Sequence, residues 1–262
     1  MYDKIPPMTQ IDSLMLGIVE GLTEFLPISS TGHLILASDV LNLPPTDFIK
    51  SFIIIIQLGA IAGVLVLYFK DFLNIGNLKK IIAGSIPTAI IGFGFYKIIK
   101  NNLLESETVV LWSLLIGGVL LIIFEILYKG PDIAEENVKD ITYKQSFAIG
   151  IFQTLAIIPG VSRSASTIVG GLLLGIPRVT IVKFSFLLAV PTLLGASLLD
   201  IVKSPNIFLQ TNIEILAIGF FSAFVVAILS MKFLVKYVQK NTFTPFGIYR
   251  IFIAVIFFFL IT

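Results

Sequence analysis

The sequence predicts an all-α, polytopic membrane protein: about six spanning helices plus two broken or re-entrant helix hairpins, arranged as an inverted repeat. Three observations carry that prediction. The 262 residues are 56% hydrophobic and only 13% charged, with a mean hydropathy of +1.01, about half the charge that a soluble domain spreads over its surface. Six apolar stretches, taken with their flanks, approach the roughly 17 to 25 residues that cross a bilayer as one helix. Two further segments, 9–43 and 146–176, are apolar but interrupted by Pro, Gly, Ser and Thr. Residues 1–262 read as one integral membrane domain, with repeat one over 9–128, a polar linker at 129–145 and repeat two over 146–262.

The opening MYDKIPPMTQIDS lacks the basic stretch and short apolar core of a cleaved signal peptide, so the first apolar segment is expected in the mature protein. That segment, IPPMTQIDSLMLGIV, runs into EGLTEFLPISSTGH and then LILASDVLNL. Each apolar piece has about a dozen residues, too few to span comfortably; such pieces suit broken helices sheltered by protein or a wet cavity. Ser51 to Phe69 is the first full span, its apolar run broken only by Gln57. After the polar link Asp71 to Lys80 comes Ile81 to Tyr96, then the link NNLLESET, whose Ser106 and Thr108 precede the third span, Val109 to Tyr128, as caps. Trp112 reads as an interfacial anchor. KGPDIAEENVKDITYK is the longest polar stretch, and QSFAIGIFQTLAII, PGVSRSAST and IVGGLLLGI then repeat the broken pattern. Phe184 to Leu199, Ile213 to Phe233 and Ile248 to Ile261 complete the spans, with Pro205-Asn206 in a link. Glu125 and the tail FIAVIFFFLIT read as capping and lipid-facing features.

Sliding the chain against itself by 133 positions pairs Gly17 with Gly150, Glu20 with Gln153, Leu22 with Leu155, Ser29 with Ser162 and Thr31 with Ser164. Pro27 falls one residue from the partner of Pro159. Two interrupted segments in corresponding places mark an internal repeat. If both turn back without crossing, Lys70, Lys79, Lys80, Lys129, Lys139, Lys144, Arg178, Lys183, Lys232, Lys236, Lys240 and Arg250 share one side. Lys4, Lys50, Lys97, Lys100 and Lys203 take the other, so the first side is expected to be cytoplasmic. The hairpins then enter from opposite sides and meet near the midplane.

The chemistry concentrates in the two interruptions. Glu20 and Glu24 are one helical turn apart and share a face. Buried together they repel unless they share a proton or hold a cation, and oxygen ligands suit a hard divalent ion, Mg²⁺ or Ca²⁺. Ser29, Ser30, Thr31 and His33, the single histidine, follow within a turn that Gly32 permits. Histidine moves protons near neutral pH, and a hydroxyl beside it can be a nucleophile. PGVSRSAST supplies Arg163 among Ser162, Ser164, Ser166 and Thr167, a donor set suited to phosphate, and an intramembrane arginine needs such an anion. The first hairpin thus reads as the metal and attack side, the second as the phosphate clamp. The glutamate pair alone fits catalysis and ion-coupled transport equally, and any single Ser or Thr serves as packing between helices. Asp12 and Gln153 fit either kind of role.

EGLTEFLPISSTGH at 20–33 together with PGVSRSAST at 159–167 closely resembles the undecaprenyl-diphosphate phosphatase family, associated with bacitracin resistance in bacteria. The resemblance implies a multi-pass enzyme of the bacterial inner membrane. It implies hydrolysis of C55 polyprenyl diphosphate to the monophosphate and inorganic phosphate, recycling the lipid carrier of peptidoglycan synthesis. It further implies a divalent cation, an active site open to the periplasmic side, and inverted-repeat architecture with two re-entrant helix pairs. Carried over residue by residue, the acidic motif falls on Glu20 and Glu24, its serine and histidine on Ser30 and His33 with Ser29 adjacent. The second motif falls on Arg163, flanked by Ser162 and Ser164 and closed by Thr167, with Ala165 where the family often has Gly.

On this reading Glu20 and Glu24 hold a divalent ion that bridges phosphate oxygens. Arg163 with Ser162, Ser164 and Thr167 stabilises the phosphoryl group in flight. Ser30 is the candidate nucleophile, its proton going to His33 or a glutamate; attack by metal-activated water is the competing route. With no cysteine, thiolate catalysis and thiolate metal sites are excluded. The expected partners are a polyprenyl diphosphate lipid and the bilayer, with a homo-oligomer as an open option and no nucleic acid. The alternative function is a polyprenyl-phosphate or other anionic-lipid transporter or flippase without hydrolysis, which needs a similar clamp.

Overall fold

A computed structural model describes residues 8–94, 106–130, 137–203 and 212–261. Lys4, Lys97, Lys100, Pro205-Asn206 and most of the links at 101–105 and 131–136 lie outside the described residues.

The chain is an all-α, membrane-spanning protein. In chain order the helices are α1 (Gln10–Thr23), α2 (Ser30–Val40), α3 (Asp47–Leu67), α4 (Phe69–Leu73), α5 (Ile75–Gly94), α6 (Glu107–Leu127), α7 (Tyr143–Gln153), α8 (Arg163–Leu173), α9 (Arg178–Lys203), α10 (Ile213–Tyr237) and α11 (Thr244–Ile261). Polar side chains start them: Thr9 caps α1 through a capping box with Asp12, Ser106 caps α6, and Thr142 caps α7 through a box with Gln145. Thr108, expected as a cap, lies inside α6.

Among the described residues, four helical stretches are long and apolar enough to cross a membrane: Phe48–Leu67, Glu107–Leu127, Arg178–Leu199 and Ile213–Tyr237. The 21-residue α3 rises about 31 Å, close to the roughly 30 Å of a hydrocarbon core. The other two expected spans fall short on these measures. The apolar part of α5 begins only after Lys80, and the apolar stretch of α11 is the shorter Thr244–Phe259. α1 with 14 residues, and α2, α7 and α8 with 11 each, are too short to span.

α3 and α9 form the interior: half or more of their spans is buried inside the protein, against 28% for α6 and α10. Ile181, Phe184, Phe186, Leu187, Leu188 and Ala189 on α9 are fully buried, an all-round apolar surface enclosed by α3, α5 and α8. The short helices dock by close backbone approach. α1 lies on α10, where a side chain at Gly17 would meet the Gly219 carbonyl at 2.6 Å. α7 lies on α5 the same way, a side chain at Gly150 meeting the Gly84 carbonyl at 2.1 Å. Each hairpin of the chain therefore packs on a helix from its other half, and only glycine admits that approach.

One end is tied by a buried ion pair. Arg178 donates from Nη1 and Nη2 to the two carboxylate oxygens of Glu125 at 2.6 and 2.7 Å, and the Phe243 amide donates to the same carboxylate at 2.9 Å. The fork joins α6, α9 and the start of α11, with the Tyr128 ring 5.1 Å from the guanidinium. Glu125 is thus the partner of a buried arginine, correcting its reading as a capping or lipid-facing feature. Two residues counted above as cations of one membrane face, Arg178 and Arg250, are buried at 6% and 1% exposure. Trp112 is exposed on α6, as are Phe252 and Phe259 on α11, in keeping with lipid-facing positions.

Candidate active site

α2 and α8 begin in the same unusual way. Ser29 and Ser162 both have φ 74°, with ψ 97° and 112°. A serine there is strained, and such residues persist only where their surroundings over-determine them. Both are N-caps: Ser29 Oγ accepts from the Gly32 amide at 3.4 Å, Ser162 Oγ from the Ala165 amide at 3.2 Å. In both, the cap carbonyl accepts a side chain four residues on, His33 Nδ1 at 2.7 Å in one and Ser166 Oγ at 2.9 Å in the other.

These two helix N-termini border one cavity of about 110 Å³, lined among others by Glu24, Ser29, Ser30, Thr31, Ser162 and Arg163. The first-turn amides and the helix dipoles make such termini positive, and Arg163 adds a full charge. Glu24 stands across from it. Its Oε2 accepts from Ser30 Oγ at 2.5 Å and its Oε1 from Arg163 Nη2 at 3.1 Å. One carboxylate therefore bridges the hydroxyl of the first motif and the guanidinium of the second, 139 positions apart in sequence. Arg163 Nη1 donates to the Ser185 carbonyl at 2.8 Å, and its buried Nε–H has no partner among the described residues.

The remaining expected site residues are placed differently. Glu20 is wholly buried one turn before Glu24 on α1, and neither of its carboxylate oxygens has a hydrogen-bond partner among the described residues. His33 does not reach Ser30; its two nitrogens meet the Ser29 carbonyl and the Tyr249 hydroxyl at 2.7 and 2.9 Å. Ser164 Oγ donates to the Phe25 carbonyl at 2.7 Å, latching the second hairpin to the first. Thr167 Oγ1 bonds Ser185 Oγ at 2.7 Å and the carbonyls of Arg163 and Ser164 at 3.0 and 3.1 Å. Of the four hydroxyls expected on phosphate, Ser29 and Ser162 border the cavity, whereas Ser164 and Thr167 bind protein groups.

Four residues enter that the motifs do not contain. Gln57 of α3 lines the cavity; its one signal in the sequence was an amide interrupting an apolar span. Ser185, Tyr249 and Arg250 contact motif residues from α9 and α11, and their signal was equally slight, scattered polar residues in oily helices.

The arrangement sets a hydroxyl, a carboxylate beside it and a guanidinium across from it at two helix N-termini, groups suited to an anion and to phosphoryl transfer. Comparison with known proteins points the same way. Residues 13–256 match the model of the family described as bacitracin resistance protein BacA. The chain is 47% identical over 251 residues to an undecaprenyl-diphosphatase of Sulfurihydrogenibium sp., covering 96% of this chain and 99% of that one. It is 46% identical to an undecaprenyl-diphosphatase of Aquifex aeolicus, covering 95% and 98%, and 46% identical to one of Campylobacter jejuni, covering 97% and 95%. With the match running through both hairpins and nearly every helix between and after them, the chain belongs to the bacitracin resistance protein BacA family.

Proposed function

We propose that this protein is a multi-pass enzyme of the bacterial inner membrane that hydrolyses undecaprenyl diphosphate to undecaprenyl phosphate and inorganic phosphate, returning the lipid carrier of peptidoglycan synthesis to use. The observation that carries the site assignment is the Glu24 carboxylate held between Ser30 and Arg163 beside two facing helix N-termini. The polyprenyl tail lies among the helices and the diphosphate enters the cavity. Ser30 Oγ attacks the terminal phosphorus and passes its proton to Glu24 Oε2. The new Oγ–P bond forms as the anhydride P–O bond breaks, and undecaprenyl phosphate leaves with that electron pair. Water then attacks the phosphoserine, its protons stay with the released phosphate, and Glu24 returns the proton to Ser30. Arg163 stabilises charge on the phosphoryl oxygens, with its unpartnered Nε–H available to them. His33, engaged at both nitrogens, orders the Ser29 cap in this scheme.

Glu20 and Glu24 are the residues that would hold a divalent cation, Mg²⁺ or Ca²⁺. The fit rests on Glu20: a wholly buried carboxylate with neither oxygen bonded calls for a cation or a proton. Among the described residues no cluster of three or more His, Asp or Glu forms a complete ligand set, so substrate phosphate and water would complete the shell. When bound, the ion neutralises diphosphate charge.

The architecture belongs to the same proposal. The halves form an inverted repeat of six crossings and two re-entrant hairpins, with the site open to the periplasmic side. What supports this is the exchange of packing partners between halves, the matching serines at φ 74°, and the excess of basic residues on one face.

The decisive test is phosphate release from C55 diphosphate by purified protein in detergent, with and without EDTA, alongside Glu24→Gln and Arg163→Ala. Release that depends on both side chains supports hydrolysis. A protein that binds the lipid and releases nothing is a carrier.

A further inference from the structure

Consecutive residues of α11 reach the starts of both short helices. Tyr249 hydroxyl lies 2.9 Å from His33 Nε2, with the two rings stacked at 5.5 Å and 8°. On its other side His33 Nδ1 is 2.7 Å from the Ser29 carbonyl. Arg250, 1% exposed, donates from Nη1 to the Val161 carbonyl at 3.2 Å and from Nη2 to the carbonyls of Gly160 and Ser113, each at 3.0 Å. Gly117 makes the seat, because a side chain there would sit 2.1 Å from Nη2.

We propose that Tyr249 and Arg250 form one brace of positioning residues that fixes both left-handed serine caps, Ser29 through His33 and Ser162 through the two carbonyls before it. The assignment rests on the phosphatase reading for its catalytic consequence. Its geometry stands apart from that reading. A carbonyl oxygen only accepts, so Nδ1 of His33 carries its proton toward Ser29. In the neutral ring Nε2 is then the acceptor, and the Tyr249 hydroxyl donates to it. The hydroxyl thereby selects the tautomer that holds the Ser29 carbonyl. Arg250 does the corresponding work for the other hairpin. Its planar fork satisfies two successive carbonyls, at Gly160 with φ 90° and at Val161, that would otherwise face the interior without a donor. Ser30 and Arg163, the residues immediately after the two caps, are aimed by these turns, and a misplacement of about 1 Å costs roughly a hundredfold in rate. Arg250→Lys keeps the charge and loses the fork; Tyr249→Phe keeps the shape and loses the hydroxyl.

His33 is the single histidine of the chain, so ¹⁵N-histidine NMR of the full protein in detergent reads this contact without interference. The unmodified protein is expected to show the Nδ1–H tautomer, and Tyr249→Phe to shift the Nε2 resonance. In phosphate release, Tyr249→Phe is expected to lower kcat about tenfold and Arg250→Lys about a hundredfold. KM should stay within about threefold and the thermal midpoint of Tyr249→Phe near that of the unmodified protein. An Nε2–H tautomer overturns the brace. So does an unchanged Nε2 resonance together with kcat within about twofold in Tyr249→Phe, or a loss of rate that follows loss of folded protein in that variant. Should Arg250→Lys fail to fold, Tyr249→Phe decides. Absence of phosphate release from the unmodified protein sinks the phosphatase reading, while the resonances still judge the brace.

Discussion

The hairpins α1–α2 and α7–α8 share a backbone and divide the chemistry. Ser29 and Ser162 have the same φ, the same capping bond three residues on, and the same accepted side chain four residues on. Around that frame almost every functional group differs. Where the first hairpin has Ser30 the second has Arg163; Glu24 faces the position of Ile157, Glu20 that of Gln153, and His33 that of Ser166. The same turn thus supplies two helix N-termini to one cavity, while the side chains bring a carboxylate and a hydroxyl to one terminus and a guanidinium to the other. Two acidic hairpins would repel at that distance, and two cationic ones would bind phosphate without a group to attack it.

The comparison is sharpest at Glu24 and Ser30. Ser30→Ala and Glu24→Gln are each expected to lower phosphate release about 10³-fold, some 4 kcal/mol of barrier, with C55 diphosphate still bound. Normal turnover in Ser30→Ala would transfer the attack to water. On the second hairpin, Arg163→Lys keeps charge but not the fork, and should cost about a hundredfold, measured as kcat/KM for the same lipid. A loss as small as twofold would mean that the cation merely balances Glu24.

The third contrast sets Glu20 against Gln153. After stripping with EDTA, Glu20→Gln is expected to raise the Mg²⁺ needed for half-maximal activity about tenfold, whereas Gln153→Leu leaves it unchanged. Equal curves for Glu20→Gln and the unmodified protein would leave the buried acid without a cation. The smallest effects belong to the shared frame. In Ser29→Gly and Ser162→Gly the lost cap bond is offset by relief of the positive φ, so unfolding midpoints in denaturant should correspond to less than about 0.5 kcal/mol in either hairpin. A larger loss at only one serine would show that the two turns are not equivalent.

Much of this was legible because interruption of an apolar run is a loud signal. EGLTEFLPISSTGH and PGVSRSAST cluster Pro, Gly and hydroxyls with charged residues inside oil, and the 133-residue offset aligns Ser29 with Ser162. What the sequence could not give was which hydroxyls face the ligand. Ser164 and Thr167 look like Ser162 in the chain, yet one latches Phe25 and the other Ser185. Gln57, Tyr249 and Arg250 were hidden for the opposite reason: a polar residue or pair set in an apolar helix has no local partner, and its role appears only through contacts from distant segments. The span count was legible in part: four of the six expected helices have the length and apolarity of a span among the described residues, while α5 and α11 carry polar residues within the helix.

The seating of α1 on α10 also orders events in time. Gly17 and Gly21 meet the backbone at Gly219 and Ala223, and Ser13 donates to the Ile215 carbonyl at 2.6 Å. A ribosome adding 5–20 residues per second reaches α10 roughly 10 to 40 s after finishing α1. Through that interval the first hairpin has α3 and then α6 beside it but lacks α10, on which α1 is seated. It is therefore a late-docking piece of a nascent chain, the natural client of whatever insertion machinery shields unfinished helices.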